Sequence, residues 1–354
     1  MTGPGSPARI LIVSDAWVPQ VNGVVRTLWE VTEHLRRGGD VVQVIGPDRF
    51  RTVALPSYPE IRLALAPRPE LARLIDNFAP DALHIATEGP LGWAARDLCL
   101  RRGWAFTTSF HTKFPEYVYA RIGVPLRWSW AMLRRFHAPA SATLVATNSL
   151  LRELEGRGFR SLRRWSRGVD LDCFQPEPQE AWARLPRPVF LYVGRIAVEK
   201  NLEAFLTLDL PGSKVVVGDG PCRATLQARF PDVCFTGVRD RELLSASYAG
   251  ADVLVFPSRT DTFGLVLLEA LACGTPVAAF PVTGPLDILA GATEKVGALD
   301  EDLRAACLSA LGANPAACRR YAEQWSWGEC AAQLRNSLAW LATEEETRVR
   351  VEAL

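Results

Sequence analysis

No two cysteines form a C-x-x-C pair, although the chain holds eight, at positions 99, 173, 222, 234, 273, 307, 318 and 330. The four histidines, at 34, 84, 111 and 137, are scattered as well. A zinc site needs clustered thiolate and imidazole ligands, which this spacing does not supply. The cysteines therefore read as free thiols packed as small hydrophobes. Long apolar runs are also missing. LVLLEALACG contains a charge and falls well short of the roughly 20 residues that cross a bilayer. The opening MTGPGSP has no basic residue, and the ILIV run after it is too short for a secretory signal core, so a cytoplasmic protein is expected. No unit of about 20 to 50 residues repeats, which excludes a solenoid.

What is present is an ordinary globular composition, 48% hydrophobic and 22% charged over 354 residues, and that length predicts two domains. Strand-like and helix-like patterns alternate from end to end, which argues for parallel sheets with crossover helices. ARILIVS, VVQVIGP, DALHIA, WAFTTSF and TLVATN read as strands of one sheet. PVFLYVG, SKVVVGDG, VCFTG, ADVLVFPS and TPVAAFP read as strands of a second. Between them Ser166 to Gln179, SRGVDLDCFQPEPQ, is rich in proline and charge and poor in periodicity. The expected organisation is a first doubly wound domain over 1–170, a second over 180–325, and a helix over 326–354 that crosses back to the first. In open sheets of this kind ligands bind beyond the carboxyl ends of the strands, at the switch point, so the expected site is a cleft between the two domains.

The loops at those carboxyl ends carry the chemistry. Asn22-Gly23 marks a turn before a helix in SDAWVPQVNGVVRT, where glycine lets backbone approach a ligand and an ordinary strand-to-helix turn is the plain alternative. ATEGPLG holds Glu88, and SFHTKFPEY holds His111 and Lys113. An imidazole at a strand end can donate a hydrogen bond to a hydroxyl or stabilise charge, although a lone histidine is more often structural. GRIAVEKN places Arg195 and Lys200 on one loop, a planar fork and a point charge suited to a diphosphate, or else a solvated pair. VVVGDGP contains Gly218 but does not complete a dinucleotide fingerprint. FPSRTDTFGLVLLEALACGTPVAAFP, Phe256 to Pro281, runs from a strand into a loop with Asp261 and then into an apolar helix carrying Glu269. Such a junction aims backbone N–H groups and a positive dipole end at an anionic ligand.

Asp261, seven residues and Glu269, with Phe263 and Gly264 between them and Ala270 after, resemble the nucleotide-sugar signature of the retaining glycosyltransferases of family 4, which have the GT-B fold. The usual first acid is Glu. Asp261 keeps the charge on a side chain one methylene shorter. PQVNGVVRT, GRIAVEKN and the linker segment RGVDLD match in the same order, and the likeness spans roughly residues 8 to 345.

The resemblance implies two Rossmann-like domains facing each other across a cleft, and a metal-independent retaining enzyme with no cofactor beyond its nucleoside diphosphate sugar. His111, Asp261, Arg195 and Lys200 would be catalytic. Gly23, Arg195, Lys200, Gly218, Val238, Asp261, Thr262, Phe263, Gly264, Leu265 and Glu269 would bind the donor, with Glu269 on the ribose hydroxyls. Asn22, Glu88 and Lys113 would lie on the acceptor side. UDP-glucose, UDP-glucuronate and GDP-mannose are all donors in this part of the family, whose branch of mannosyl and diacylglycerol or sulfolipid glycosyltransferases implies a membrane lipid as acceptor. A sugar-nucleotide epimerase and a noncatalytic sugar-nucleotide binder remain the alternatives.

Two further patterns bear on partners. Asp170-Leu171-Asp172 has the D-x-D form of a metal site, yet an isolated pair makes a poor cage and it sits in the linker match. Residues 1 to 173 hold 23 Lys and Arg against 16 Asp and Glu, and residues 174 to 354 hold 17 against 23. Within the basic half, Tyr117 to Pro139 interleaves arginine with aromatics, as either the core face of a helix or a surface for an anionic membrane. No nucleic-acid recognition module accompanies it.

Overall fold

The computed structural model describes residues 6–20, 22–55, 58–111 and 125–341. They form two compact units, one of residues up to Ser166 together with those from Trp327 onward, the other Arg167–Ser326.

In the first unit the strands are β1 (Arg9–Val13), β2 (Val41–Ile45), β3 (Thr52–Leu55), β4 (Tyr58–Ala64), β5 (Ala82–Ile85), β6 (Thr107–Phe110), β7 (Ala142–Val145) and β8 (Leu162–Arg164). Six of them make a parallel sheet in the order β2-β1-β5-β6-β7-β8, and β3 pairs with β4 as a separate antiparallel hairpin. Strands β5, β6 and β7 are buried at every position, as expected of a parallel sheet covered on both faces. Leu11, Val13, Leu83 and Ile85 pack against Leu71, Ile75, Leu91 and Leu98 from the helices Arg68–Phe78 and Pro90–Arg102. Winding reverses between β1 and β5, so the loops after these two strands share the switch point.

The helix Trp327–Ser337 belongs to this unit and packs on the helix Gly23–Arg37. Trp165 Nε1 donates to the Cys330 carbonyl at 2.9 Å, and Gln333 Oε1 accepts from the Ser166 amide at 2.8 Å. Arg335 pairs with Asp40 at 2.8 Å, while Asp40 also accepts from the Ala8 amide. Trp340 then bridges to Ala82.

The second unit contains β9 (Val189–Val193), β10 (Ser213–Val217), β11 (Cys234–Gly237), β12 (Val253–Phe256), β13 (Val277–Ala279) and β14 (Gly297–Leu299). Its parallel sheet has the order β11-β10-β9-β12-β13-β14, with the switch between β9 and β12. Phe190, Tyr192, Val216 and Val255 form its core with Phe205, Leu303 and Cys307. Of the segment Ser166 to Gln179 read as a linker, all but Ser166 lies in this unit. Phe174 is buried edge-on to Tyr248, with ring centroids 5.9 Å apart.

All eight cysteines are free, and burial pushes the Cys99, Cys273, Cys307 and Cys318 thiols up to about 12. No helix among the described residues is long and apolar enough to cross a membrane.

Replacing Arg335 with alanine leaves the Asp40 carboxylate, only 3% exposed, without its cation. The substitution is expected to destabilise the first unit by about 3 kcal/mol, at the low end for breaking a buried pair. Urea unfolding followed by tryptophan fluorescence checks this, and an unmoved midpoint would contradict it.

Candidate functional site

In the second unit the loop after β9 is built by backbone contact with its neighbour. Gly218 follows β10 with φ at 138°, and a Cβ there would stand 1.9 Å from the Gly194 carbonyl oxygen. The Ile196 amide donates to the Asp219 carbonyl at 2.8 Å, and the Gly218 amide to Gly237 at 2.8 Å. Glycine at 218 thus serves close packing of two loops. Tyr192, buried in the core, donates from its hydroxyl to the Arg195 carbonyl at 2.7 Å. This fixes the start of the loop, and a 3-10 turn over Val198–Lys200 completes it.

Across the switch point stands the loop after β12. Lys200 Nζ meets Asp261 Oδ1 at 2.5 Å, and Asn201 Nδ2 donates to the Pro257 carbonyl at 3.1 Å. Phe263 is buried edge-on to Trp325, and Gly264 turns the chain with φ at 93° into the helix Leu265–Ala272. Its N-cap residue, Gly264, has no side chain to cap the helix, and Thr262, Leu265 and Val266 at its start are half-buried. An uncapped start presents N–H groups and the positive end of the dipole.

One turn along the helix, Glu269 Oε2 accepts from the Tyr248 hydroxyl at 2.8 Å. Tyr248 is fully buried, and burial first, then the Glu269 charge, holds its phenol well above the usual tyrosine range. It is a fixed donor that sets one carboxylate oxygen. Val238, on the loop after β11, is 73% exposed. Arg195, Lys200, Asp261, Thr262, Phe263, Gly264, Leu265 and Glu269 therefore come from the loops and helix that flank one switch point. Gly218 lies on the adjoining loop and supports it.

Asp170 of the D-x-D pair has both oxygens engaged. The amides of Asp172 and Cys173 donate to Oδ1 at 3.2 and 3.1 Å, and Arg241 bonds Oδ2. Burial raises its pKa, but the Cys173 amide and Arg241 lower it by more, so the carboxyl titrates below its ordinary range. Among the described residues no group of three or more His, Cys, Asp or Glu is arranged to hold a metal ion.

In the first unit a single acid joins the loops at the switch point. Asp15, after β1, accepts from the amides of Leu91 and Gly92 at 2.9 and 3.2 Å and from the Thr87 hydroxyl at 3.0 Å. Burial holds its carboxyl above the usual range against the lowering effect of those donors. A Cβ on Gly89 would lie 2.4 Å from Asp15 Cγ, so the GP turn is shaped to this carboxylate.

Asn22 caps the following helix, its Oδ1 accepting from the amides of Val24 and Val25 at 3.0 Å, and Gly23 is the first helical residue. The side-chain oxygen of Asn22 is thus engaged by the backbone. Glu88 Oε1 lies 3.2 Å from Nε2 of His137, a buried residue whose Nδ1 meets Thr108 Oγ1 at 2.9 Å. His111 Nε2 meets Ser109 Oγ at 2.9 Å. Lys113 lies outside the described residues.

Residues 21–173 match the description Glycosyltransferase Family 4, and residues 187–312 match Glycosyl transferases group 1. A GDP-mannose-dependent alpha-mannosyltransferase of Mycobacterium tuberculosis is 33% identical over 79% of this chain and 81% of its own length. The chain belongs to glycosyltransferase family 4. An alpha-monoglucosyldiacylglycerol synthase of Streptococcus pneumoniae is 26% identical over 87% of this chain and 79% of its own. Among solved structures, sucrose-phosphate synthase of Thermosynechococcus elongatus superposes with a TM-score of 0.73 at 20% identity, covering 98% of this chain and 100% of that one. The two parallel-sheet units are thus those of the GT-B fold, and the protein is a glycosyltransferase.

Several residues of the family 4 chain escaped sequence reasoning. Tyr248, Asp15, Ser109, His84 and His137 lie inside strands, helices or ordinary loops with no local motif. Only their three-dimensional partners distinguish them.

Gly218→Ala drives a methyl into the Gly194 carbonyl, whereas at Gly312 the nearest atom to an added Cβ is 3.6 Å away. The first substitution is expected to cost about 2 kcal/mol or more and the second less than about 0.5 kcal/mol. Thermal unfolding of the pair reads the difference, and equal midpoints would refute the packing role.

Proposed function

We propose that this glycosyltransferase is retaining and metal-independent, and that it moves mannose from GDP-mannose to a hydroxyl of a membrane lipid. The observation that carries the donor side is the junction at Gly264, where an uncapped helix start, the Lys200–Asp261 pair and Glu269 belong to one structural unit. A nucleoside diphosphate gains negative charge as the glycosidic bond breaks. Arg195 and Lys200, with the first amides of the helix, are the groups suited to take it up. Glu269, with one oxygen on Tyr248, accepts from the ribose hydroxyls, since a carboxylate serves two adjacent O–H donors. Asp261 faces the sugar. GDP-mannose is preferred to the UDP-sugars because the mycobacterial relative, similar over four-fifths of its length, is named for that donor.

Support for a lipid acceptor comes from the first unit. The helix Leu126–His137 buries Trp130, Leu133 and Phe136 and turns Trp128 and Met132 outward, at 63% and 40% exposure. The core reading of this basic aromatic segment fits its buried face, and the exposed face is the one on which the membrane reading is proposed. Residues 117–124 of it lie outside the described residues. Trp128, Met132 and Arg135 line a groove of about 540 Å³ with Trp93 and Arg96. Exposed tryptophan and methionine among arginines suit the interface of an anionic bilayer, and the streptococcal relative is named for a diacylglycerol glycolipid. His111, Glu88 and Asn22 fall on the acceptor-bearing unit in this reading, and the enzyme sits peripherally on the cytoplasmic face.

Thermal stabilisation by nucleotide sugars tests the donor. Ligand at 100 times its dissociation constant raises stability by about 2.7 kcal/mol. GDP-mannose is expected to stabilise more than UDP-glucose or UDP-glucuronate, equally with and without EDTA, and Lys200→Ala to weaken it severalfold, less than a full charge-assisted bond because Lys200 exchanges Asp261 for the phosphate. A larger shift with a UDP-sugar overturns the donor, and loss of the shift in EDTA overturns metal independence. For the acceptor surface, Trp128→Ser with Met132→Ser is expected to abolish co-sedimentation with phosphatidylglycerol vesicles at low salt without lowering the unfolding temperature. Unchanged co-sedimentation would remove the helix from membrane contact.

A further inference from the structure

His111 belongs to a hydrogen-bond chain that begins in the buried core of the sheet. His84 of β5 is fully buried, with Nδ1 2.9 Å from Thr107 Oγ1 and Nε2 3.1 Å from Ser109 Oγ. Ser109, also fully buried, reaches the Ala86 carbonyl at 3.2 Å and His111 Nε2 at 2.9 Å. Both imidazoles stand edge-on to the Trp165 indole, with ring centroids at 5.9 and 5.6 Å, and Trp165 is itself fully buried and tied to Cys330. Their ring planes are therefore set by packing as well as by hydrogen bonds.

A hydroxyl has one proton and two lone pairs. Ser109 Oγ has three partners, and one of them, the Ala86 carbonyl, can only accept. All three bonds form together in one way. The serine proton goes to Ala86, and both His84 Nε2–H and His111 Nε2–H donate to the serine oxygen. His84 Nδ1 then accepts from the Thr107 hydroxyl, and every member of the chain is satisfied, as buried polar groups require.

We infer that Ser109 and His84 are positioning residues that lock neutral His111 in its Nε2–H tautomer, so that Nδ1 is the nitrogen carrying the lone pair. In that tautomer Nδ1 acts as a hydrogen-bond acceptor and donates only when the ring is protonated. Its use in the transfer rests on the reading that His111 serves that reaction; the tautomer itself does not.

The test is the long-range proton–nitrogen spectrum of protein labelled at histidine. With four histidines, each signal is assigned by a single His→Gln substitution. Spectra are taken about two pH units above the ordinary histidine value of roughly 6.5, where a neutral ring shows which nitrogen holds the proton. The expected result is Nε2–H for His111 in the unsubstituted protein and a shift toward Nδ1–H in Ser109→Ala. That variant should also lose kcat by on the order of tenfold with the donor KM unchanged, the scale seen when a supporting hydrogen bond is removed. An Nδ1–H tautomer in the unsubstituted protein overturns the inference whether or not the variant folds, and so does an unchanged tautomer in Ser109→Ala. Full activity of His111→Gln with the expected tautomer would instead remove His111 from the reaction while leaving the proton assignment in place.

Discussion

Each sheet of this protein reverses its winding between two neighbouring parallel strands, and the loops that leave there must be held against each other without a strand pair to do it. Everything at the candidate site depends on how that constraint is met. Both units meet it with an aspartate on a switch-point loop. In the first, Asp15 draws in the start of the helix Pro90–Arg102. In the second, Asp261 reaches Lys200 on the facing loop. The solutions differ in burial. Asp15 is sealed among amides and a hydroxyl, which suits a permanent clamp. The Lys200–Asp261 pair keeps about a fifth of its side-chain surface in water, which leaves it open to exchange with a ligand.

The second structural theme is a polar seam through an otherwise apolar sheet. Strand β6, TTSF, is buried at every position, yet three of its four side chains carry hydroxyls. Alternation sends Thr107 and Ser109 to His84 on one face and Thr108 to His137 on the other. Unpartnered, each hydroxyl in such a place would cost on the order of 1 to 3 kcal/mol. Partnered, they order three imidazoles, those of His84, His111 and His137, and, through His137, one oxygen of Glu88. An apolar strand would give an equally stable sheet with no control over those rings. The seam therefore relates to the residues at the strand ends more than to the fold.

Ten strands with strong apolar character were legible in the sequence, as was the order of the loops between them. The hairpin β3–β4 and the edge strands β8 and β14 were not. β8 is the three residues LRR, half-buried or exposed, and β14 is three residues long at the other sheet's edge, so neither shows the run of buried residues that marks a central strand. Asp261, Glu269, Lys200 and Arg195 were legible because they are close together in short motifs. Tyr248 was not, since the helix that bears it lies 21 residues before Glu269 and nothing local distinguishes a buried tyrosine from an aromatic in the core. Asp15 and Ser109 were missed for the same reason: their partners are up to 77 and 25 residues away in sequence. Local pattern reveals which residues sit at strand ends. The direction of each hydrogen bond follows only from the assembled sheet.

The shortened acid at 261 gains meaning from this geometry. An aspartate places its charge one methylene nearer the backbone than the glutamate usual in the family, and Lys200 still closes to 2.5 Å. The ammonium is therefore held toward the loop that opens the helix at Gly264. In the proposed donor site a ligand phosphate would meet a cation whose charge is already balanced, so its gain would be the difference between two ion pairs and not the full strength of one. Such an exchange weakens ground-state binding of the intact diphosphate. The attraction to Lys200 and to the helix amides in that proposed site rises as charge grows on the leaving group, while the cost of displacing Asp261 subtracts equally from both states. Interactions that strengthen only as the bond breaks are the ones that accelerate a reaction. On the proposed reading, any preference for the departing nucleotide comes from Lys200 and the helix amides themselves, and the pairing with Asp261 lowers the hold on both states alike.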